Sequence, residues 1–373
     1  MNKTMKKLPL LGLLVCLASC GEATPIEAGS VKKGKEIPVE VAKQQMQAAS
    51  VAMESKDAFS VRMENASFNY SLSMEKNIPT GKESNTSIKM NHNTKIDKVN
   101  AAVGFTGLTS GKVEDVKGYG EVKANVDING ATNASGFQHS YQTPKGTVGF
   151  TCYQDGVTTY LDLSDNKLQG VVNTVVKEGL FNKNLSFGLS SDTKIAIPNT
   201  IDADDMPVIS DKDMNCITYE ITDEIEDIAS RGGTVKALQH DDGTYSYSVE
   251  TKNLEDADDF EDLIEADFDF DVDDDMGYPN IKPSIENNVN VKTYSIAYVF
   301  NQNGISSIGA TIDIDYTFKS SLTINNTVFS TEIKMNCYFN GKINFDYGND
   351  VIIKEVQDKD TYKVCPMDFE LFD

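Results

Sequence analysis

The stretch IAYVFNQNGISSIGATIDIDYTF, residues 296–318, decides how this chain folds. Before Asn303-Gly304, the residues Ile296, Tyr298 and Phe300 recur at every second position. After it, Ile308, Ala310, Ile312, Ile314, Tyr316 and Phe318 do the same, alternating with Gly309, Thr311, Asp313, Asp315 and Thr317. A period of two sends successive side chains to opposite faces, so these are strands with one apolar and one polar face. Asn-Gly between such runs predicts a tight hairpin, because its two central residues must both take φ > 0. Parallel α/β architecture is excluded, since strands covered on both faces read apolar throughout.

The pattern extends outward from this pair. Ile333, Met335, Cys337 and Phe339 face Ile343, Phe345 and Tyr347 across Asn340-Gly341, which predicts a second hairpin. Upstream, alternation runs through Val99 to Phe105, Val122 to Ile128, and Val148 to Cys152, where Asp155-Gly156 turns the chain towards Leu161 and Leu163. The same device predicts turns at Asn129-Gly130 and Asp242-Gly243. Phe59, Val61 and Met63 occupy odd positions while Phe68, Tyr70, Leu72 and Met74 occupy even ones. That switch predicts a bulge or bend near Asn65.

Helices are few. Val39, Ala42, Met46, Ala49 and Met53 recur at three- and four-residue steps and share one helix face, with Pro38 suited to the first helical position. Ser164 or Asp165 caps a second helix carrying Leu168, Val171, Val172 and Val175, closed by Gly179. Ile225, Ile228 and Ala229 mark a short third before Gly232-Gly233. Leu254, Ala257, Phe260, Ile264 and Phe268 mark a fourth. The order strand, Asp-Gly, strand, helix occurs twice, over 147–179 and 235–266, as a duplicated half would give. A seam around Pro207 then divides a first sheet-plus-helix half, 38–205, from a second, 206–373. The fold class is α+β: a curved antiparallel β-sheet with a few helices packed on its apolar face.

Of 373 residues, 57 are acidic and 34 basic, for a net charge of −23. A body so acidic repels nucleic acid and anionic lipid headgroups, which excludes DNA and RNA as partners. Cys152, Cys216, Cys337 and Cys365 allow two disulfides in three connectivities. Cys152 and Cys337 fall on apolar-facing strand positions, where a buried inert thiol is expected. With only His92, His139 and His240 and no Cys-x-x-Cys pair, a zinc site would have to gather ligands from far apart.

At the N-terminus, Lys3, Lys6 and Lys7 precede an apolar run from Leu8 to Ala18. The run is far shorter than the roughly 20 residues of a spanning helix and reads as a secretory signal. It ends in Leu17-Ala18-Ser19-Cys20, which resembles the lipobox of bacterial lipoproteins. The resemblance implies that residues 1–19 are a signal peptide and that Cys20 carries a covalent diacylglycerol. The body would then sit on the extracytoplasmic side of a cell membrane or outer membrane, held there by two acyl chains. Gly21 to Ile37, with Pro25, Gly29 and Gly34, reads as a flexible tether completing the 20–37 anchor segment.

Over residues 38 to 350 the order of elements resembles LolA-like and LppX/LprG-like envelope lipoproteins. That likeness implies a half-barrel closed by helices over an apolar cavity that holds acyl chains. It has no diagnostic motif, so no functional residue carries over. The greater length and the acidity of this chain depart from those families.

The densest constellation of functional groups is acidic. Thirteen carboxylates lie between Glu255 and Asp275. Asp267, Asp269, Asp271, Asp273 and Asp275 are candidates for weak calcium binding, since hard cations take several carboxylate oxygens. The EF-hand template fails at its sixth position, Val272 instead of Gly, and at its twelfth, Tyr278 instead of Glu. The plainer reading is a solvated acidic face that blocks edge pairing. No nucleophile elbow, zinc-helix motif or phosphate loop is present, so no cofactor and no enzymatic activity are expected. The expected function is a membrane-anchored lipoprotein that binds or carries an amphiphilic or apolar ligand. The alternative is a surface structural or interaction lipoprotein with a filled core.

Overall fold

The alternating runs assemble into one large, curved, unclosed antiparallel sheet in the computed structural model of the chain. The structure describes residues 34–177, 194–198, 222–254 and 281–364, with a few short gaps inside these ranges. In chain order the elements are β1 (Gly34–Glu36), α1 (Val39–Glu54), β2 (Phe59–Pro79), β3 (Asn85–Thr106), β4 (Lys117–Ala134), β5 (Phe137–Gln142), β6 (Gly146–Asp155), β7 (Thr158–Asp162), α2 (Asn166–Thr174) and β8 (Lys194–Ile197). They continue with α3 (225–230), β9 (Thr234–His240), β10 (Tyr245–Leu254), β11 (Ile281–Asn301), β12 (Gly304–Ile324), β13 (Thr327–Tyr347) and β14 (Lys363–Val364).

Across the sheet the strand order is β1-β9-β10-β11-β12-β13-β2-β3-β4-β6-β7-β8-β14, with β5 pairing on the end of β4. Only β14 on β8 runs parallel among the described residues. The two sequence halves meet where β13 pairs with β2, from Ser330↔Asn77 to Tyr347↔Phe59. The proposed seam around Pro207 and the fourth helix beyond Leu254 lie outside the described residues, and Leu254 itself ends β10.

The bulge expected near Asn65 is present. Asn65 has φ 52, and the register of β2 shifts between Met63 and Ala66 against β3 and between Met63 and Ser67 against β13. Its neighbour β3 carries a second extra residue at Lys98, φ 53, where the register against β4 shifts between Asp97 and Asn100. Side-by-side bulges bend adjacent strands together, and they divide the long strands into a near half, under the helices, and a far half.

Several turns differ from expectation. Asn340-Gly341 lies inside β13, and Asn129-Gly130 lies inside β4. In both places the glycine makes room for an aromatic ring. A Cβ on Gly341 would fall 2.8 Å from the Phe339 ring, and one on Gly130 would collide with the Tyr141 ring. At the Asn303-Gly304 hairpin the loop is Gln302-Asn303, since Asn301 already pairs with Gly304. There the Asn301 side chain accepts the Asn303 N–H at 2.7 Å, and only Gly304 has positive φ. At Asp155-Gly156 the central residues are Gly156-Val157, again with one positive φ. The expected tether also ends earlier than Ile37. Gly34–Glu36 pairs with β9, and the Ile37 N–H reaches the Ala237 carbonyl.

The helices form where their apolar stripes predict. Pro38 sits just before α1, its carbonyl accepting the N–H groups of Val41 and Ala42. Ala42, Met46 and Ala49 are fully buried against Tyr247, Val249, Val291 and Phe300, joined by Ile225 and Ile228 of α3. Under α2, Val171 packs with Met63, Val99, Ala124 and Val148. On the opposite face the C-terminal segment crosses β4, β6 and β7. There Lys354 donates to Tyr119 and Glu121, and Tyr362 packs edge-on to Tyr160. Burial pushes the Tyr119 hydroxyl up to about 12, while hydrogen bonds from Lys123, Tyr119 and Lys354 hold Glu121 down at about 2.

Met46 joins α1 to the sheet at its deepest point. Met46→Ala should lower stability by about 2–5 kcal/mol through the cavity it leaves, read as a drop in the urea midpoint with unchanged m-value.

Candidate functional site

β2, β3, β11, β12 and β13 are each 21 or 22 residues long, about 70 Å at 3.3 Å per residue, where ordinary strands have 3–10 residues. No such length can be covered by short helices. Among the described residues α1 contacts β9 to β12 and α2 contacts β6, all towards the near half.

The apolar pattern nevertheless continues into the far half. Register aligns it across the strands in rows. Cys337 of β13, Tyr70 of β2 and Thr94 of β3 form one row; Met335, Leu72 and His92 form the next; Ile333, Met74 and Met90 form a third. All nine side chains are half-buried, and neither near-half core cluster includes them. The result is a Met-rich apolar field on one face of a sheet. Met fills irregular contacts and adapts to differently shaped apolar partners.

One polar group is built into this field. The Tyr141 ring lies over Gly130, reaching across β4 so that its hydroxyl sits 2.7 Å from Nδ1 of His92. Nε2 of His92 sits 2.9 Å from the Thr94 hydroxyl, and the Tyr70 ring packs 6.2 Å from the imidazole. Tyr70 donates in turn to Sδ of Met335 at 3.6 Å. Burial lowers the His92 pKa from its ordinary 6.5 and raises those of Tyr70, Tyr141 and Cys337. Each shift favours the neutral form, so these groups carry no charge at neutral pH. An uncharged, half-dry face with a few fixed hydroxyls suits an apolar or amphiphilic partner.

The residues singled out in the sequence are not brought together here. Cys20, the aspartates from Asp267 to Asp275, Cys216 and Cys365 lie outside the described residues. Cys152 and Cys337 are free thiols on different strands, and burial raises the pKa of each. Of the histidines, His92 joins the field and His139 stacks between Phe137 and Tyr141 on β5. His240 is buried near the β1 edge, its Nε2 3.0 Å from the Ser246 hydroxyl. Among the described residues no three His, Cys, Asp or Glu side chains form a metal-binding group. The Tyr141–His92–Thr94 link escaped sequence reasoning because Asn129-Gly130 reads as a turn. A mid-strand glycine paired with an aromatic residue on the adjacent strand was the available signal.

No known protein family matches the chain, and no curated protein resembles it in sequence.

The histidine makes a pH prediction. As pH falls below about 6.5 the unfolded chain takes up a proton that folded His92 refuses. Stability should therefore fall through the window between 6.5 and the lower folded value, and level off below it. NMR titration should place the His92 midpoint below 6.5, and His92→Gln should remove this part of the acid-side loss in urea titrations at pH 7 and pH 5.

Proposed function

We propose that the chain is an extracytoplasmic lipoprotein, anchored through Cys20, that holds an amphiphilic or apolar ligand without chemistry. One observation carries the ligand reading: the apolar pattern of the long strands continues well beyond the helices that cover its near half. The near half is filled by the protein's own side chains, which confines ligand room to the far half. The half-barrel likeness enters here, as a sheet curved around an apolar face with helices over part of it. The ligand is neutral or zwitterionic, because a chain of net charge −23 repels anionic headgroups. Among the described residues no helix is long and apolar enough to cross a membrane. In this reading the lipid at Cys20 provides the attachment, its acyl chains contributing about 0.8 kcal/mol per buried CH₂.

Native mass spectrometry of the full chain, released from detergent, tests the reading. A co-purifying amphiphile that leaves on denaturation is expected, and Leu72→Asp should abolish it while leaving the thermal midpoint of the near half unchanged. A bare protein that acquires no mass after incubation with monoacylglycerol or phosphatidylethanolamine would instead support a surface lipoprotein with a filled core.

A further inference from the structure

The opposite face of the sheet carries a depression of about 460 Å³ between β11, β12, β13 and β2. Its most unusual member is Lys292. Val291 pairs with Ile314 and Thr293 with Asp313, so Lys292 is an extra residue with no partner across the ladder. Alternation after Val291 places its side chain on the polar face, and the bulge puts Thr293 on that face as well and returns Tyr294 to the apolar one. There its ammonium lies 2.9 Å from the Asp315 carboxylate and 3.6 Å from Oδ1 of Asp313. Asn336 on the next strand donates to Oδ1 of both aspartates, at 3.1 Å and 2.8 Å. The network is thus drawn onto one oxygen of Asp313, and Oδ2 takes part in none of these bonds. Asn69, Ser71 and Tyr338 complete the lining.

The chemistry of this lining selects its ligand. Two carboxylates against one ammonium leave a local charge of about −1, which disfavours anions. Lys292 and Asn336 occupy the space between the carboxylates where a divalent cation would have to sit, and each is held there by hydrogen bonds. What remains is a close mixture of acceptors (Asp313, Asp315) and donors (Ser71, Asn69, Lys292), with a tyrosine ring at one side. A ligand that donates and accepts at every position, and presents C–H surface to an aromatic ring, matches it. Volume points the same way, at the lower end of the roughly 300–1,000 Å³ of small-ligand sites.

We propose that this depression binds a neutral sugar of one or two hexose units. The site is independent of the apolar field, which lies on the reverse of the same strands: Asn336 and Tyr338 point to one side, and Met335 and Cys337 to the other. Saturation-transfer NMR of the full chain with D-glucose, D-galactose, D-mannose, N-acetylglucosamine and maltose tests it. At least one should show saturable transfer. Asp313→Asn should weaken it about tenfold or more, the weight of one hydrogen bond to a charged group. Ser71→Tyr, which fills the depression from the position opposite Asn336 and leaves both aspartates in place, should abolish it. Circular dichroism and the urea midpoint confirm that each variant is folded. No saturable transfer from any sugar overturns the proposal. So does transfer that survives in both folded variants, or binding confined to spermidine or citrate as charged probes of the same site.

Discussion

Everything else in the molecule depends on the pairing of β13 with β2. These strands are far apart in the chain, yet their ladder joins the first half's strands to the second's in one sheet. The chain ends then cross over. β1, from the N-terminal side, closes the second half's edge on β9, and β14, from the C-terminus, closes the first half's edge on β8. Each half is therefore capped by a piece of chain from the other end of the sequence. Loop closure over such distances makes the fold dependent on the register of a few long strands. That register is specified where one face is apolar, because a one-residue slip would move Phe68, Tyr70, Leu72 and Met74 to the polar side.

The bulges at Asn65 and Lys98 reconcile this demand with curvature. A bulge adds one residue and reverses the parity of the strand, so the sequence must switch its alternation at the same point to keep one face apolar. It does so in β2, from odd to even positions. The bulge at Lys292 switches parity in the same way, from Val289 and Val291 to Tyr294 and Ile296. It leaves the apolar run Val289, Val291 and Tyr294 on its own face and adds a cation to the other. The sheet is thus two-sided, with a neutral Met-rich field on one face and a hydrogen-bonding depression on the other. The two surfaces ask for chemically opposite partners.

Much of the architecture was legible in the residues. Period-two alternation revealed the antiparallel strands, the parity switch revealed the Asn65 bulge, and the Ala42–Met46–Ala49 stripe revealed α1 and its buried face. Illegible features have a common physical cause: they depend on what packs beside a residue and not on local composition. Asn129-Gly130 and Asn340-Gly341 have the composition of turns, but their glycines are fixed by the rings of Tyr141 and Phe339. Gly34–Glu36 has the composition of a tether, and only the exposed edge of β9 makes it a strand. The apolar field was half legible. Its residues were recognisable as one strand face, while the limit of helix coverage required the tertiary arrangement. Asp313 and Asp315 read only as the polar alternates of a strand, and nothing local distinguished them until Lys292 and Asn336 were placed beside them.

The central claim is that the far-half field is an open apolar surface while the near half is filled, and methionine reports on both. Met74, Met90 and Met335 lie in the field, and Met46 and Met63 lie in the packed clusters. With ¹³C-methyl methionine in the full chain, a neutral monoacylglycerol should shift the first three signals saturably and leave Met46 and Met63 in place. Shifts at Met46 or Met63 with the far-half methionines unmoved, or no saturable shift at all, would contradict the account.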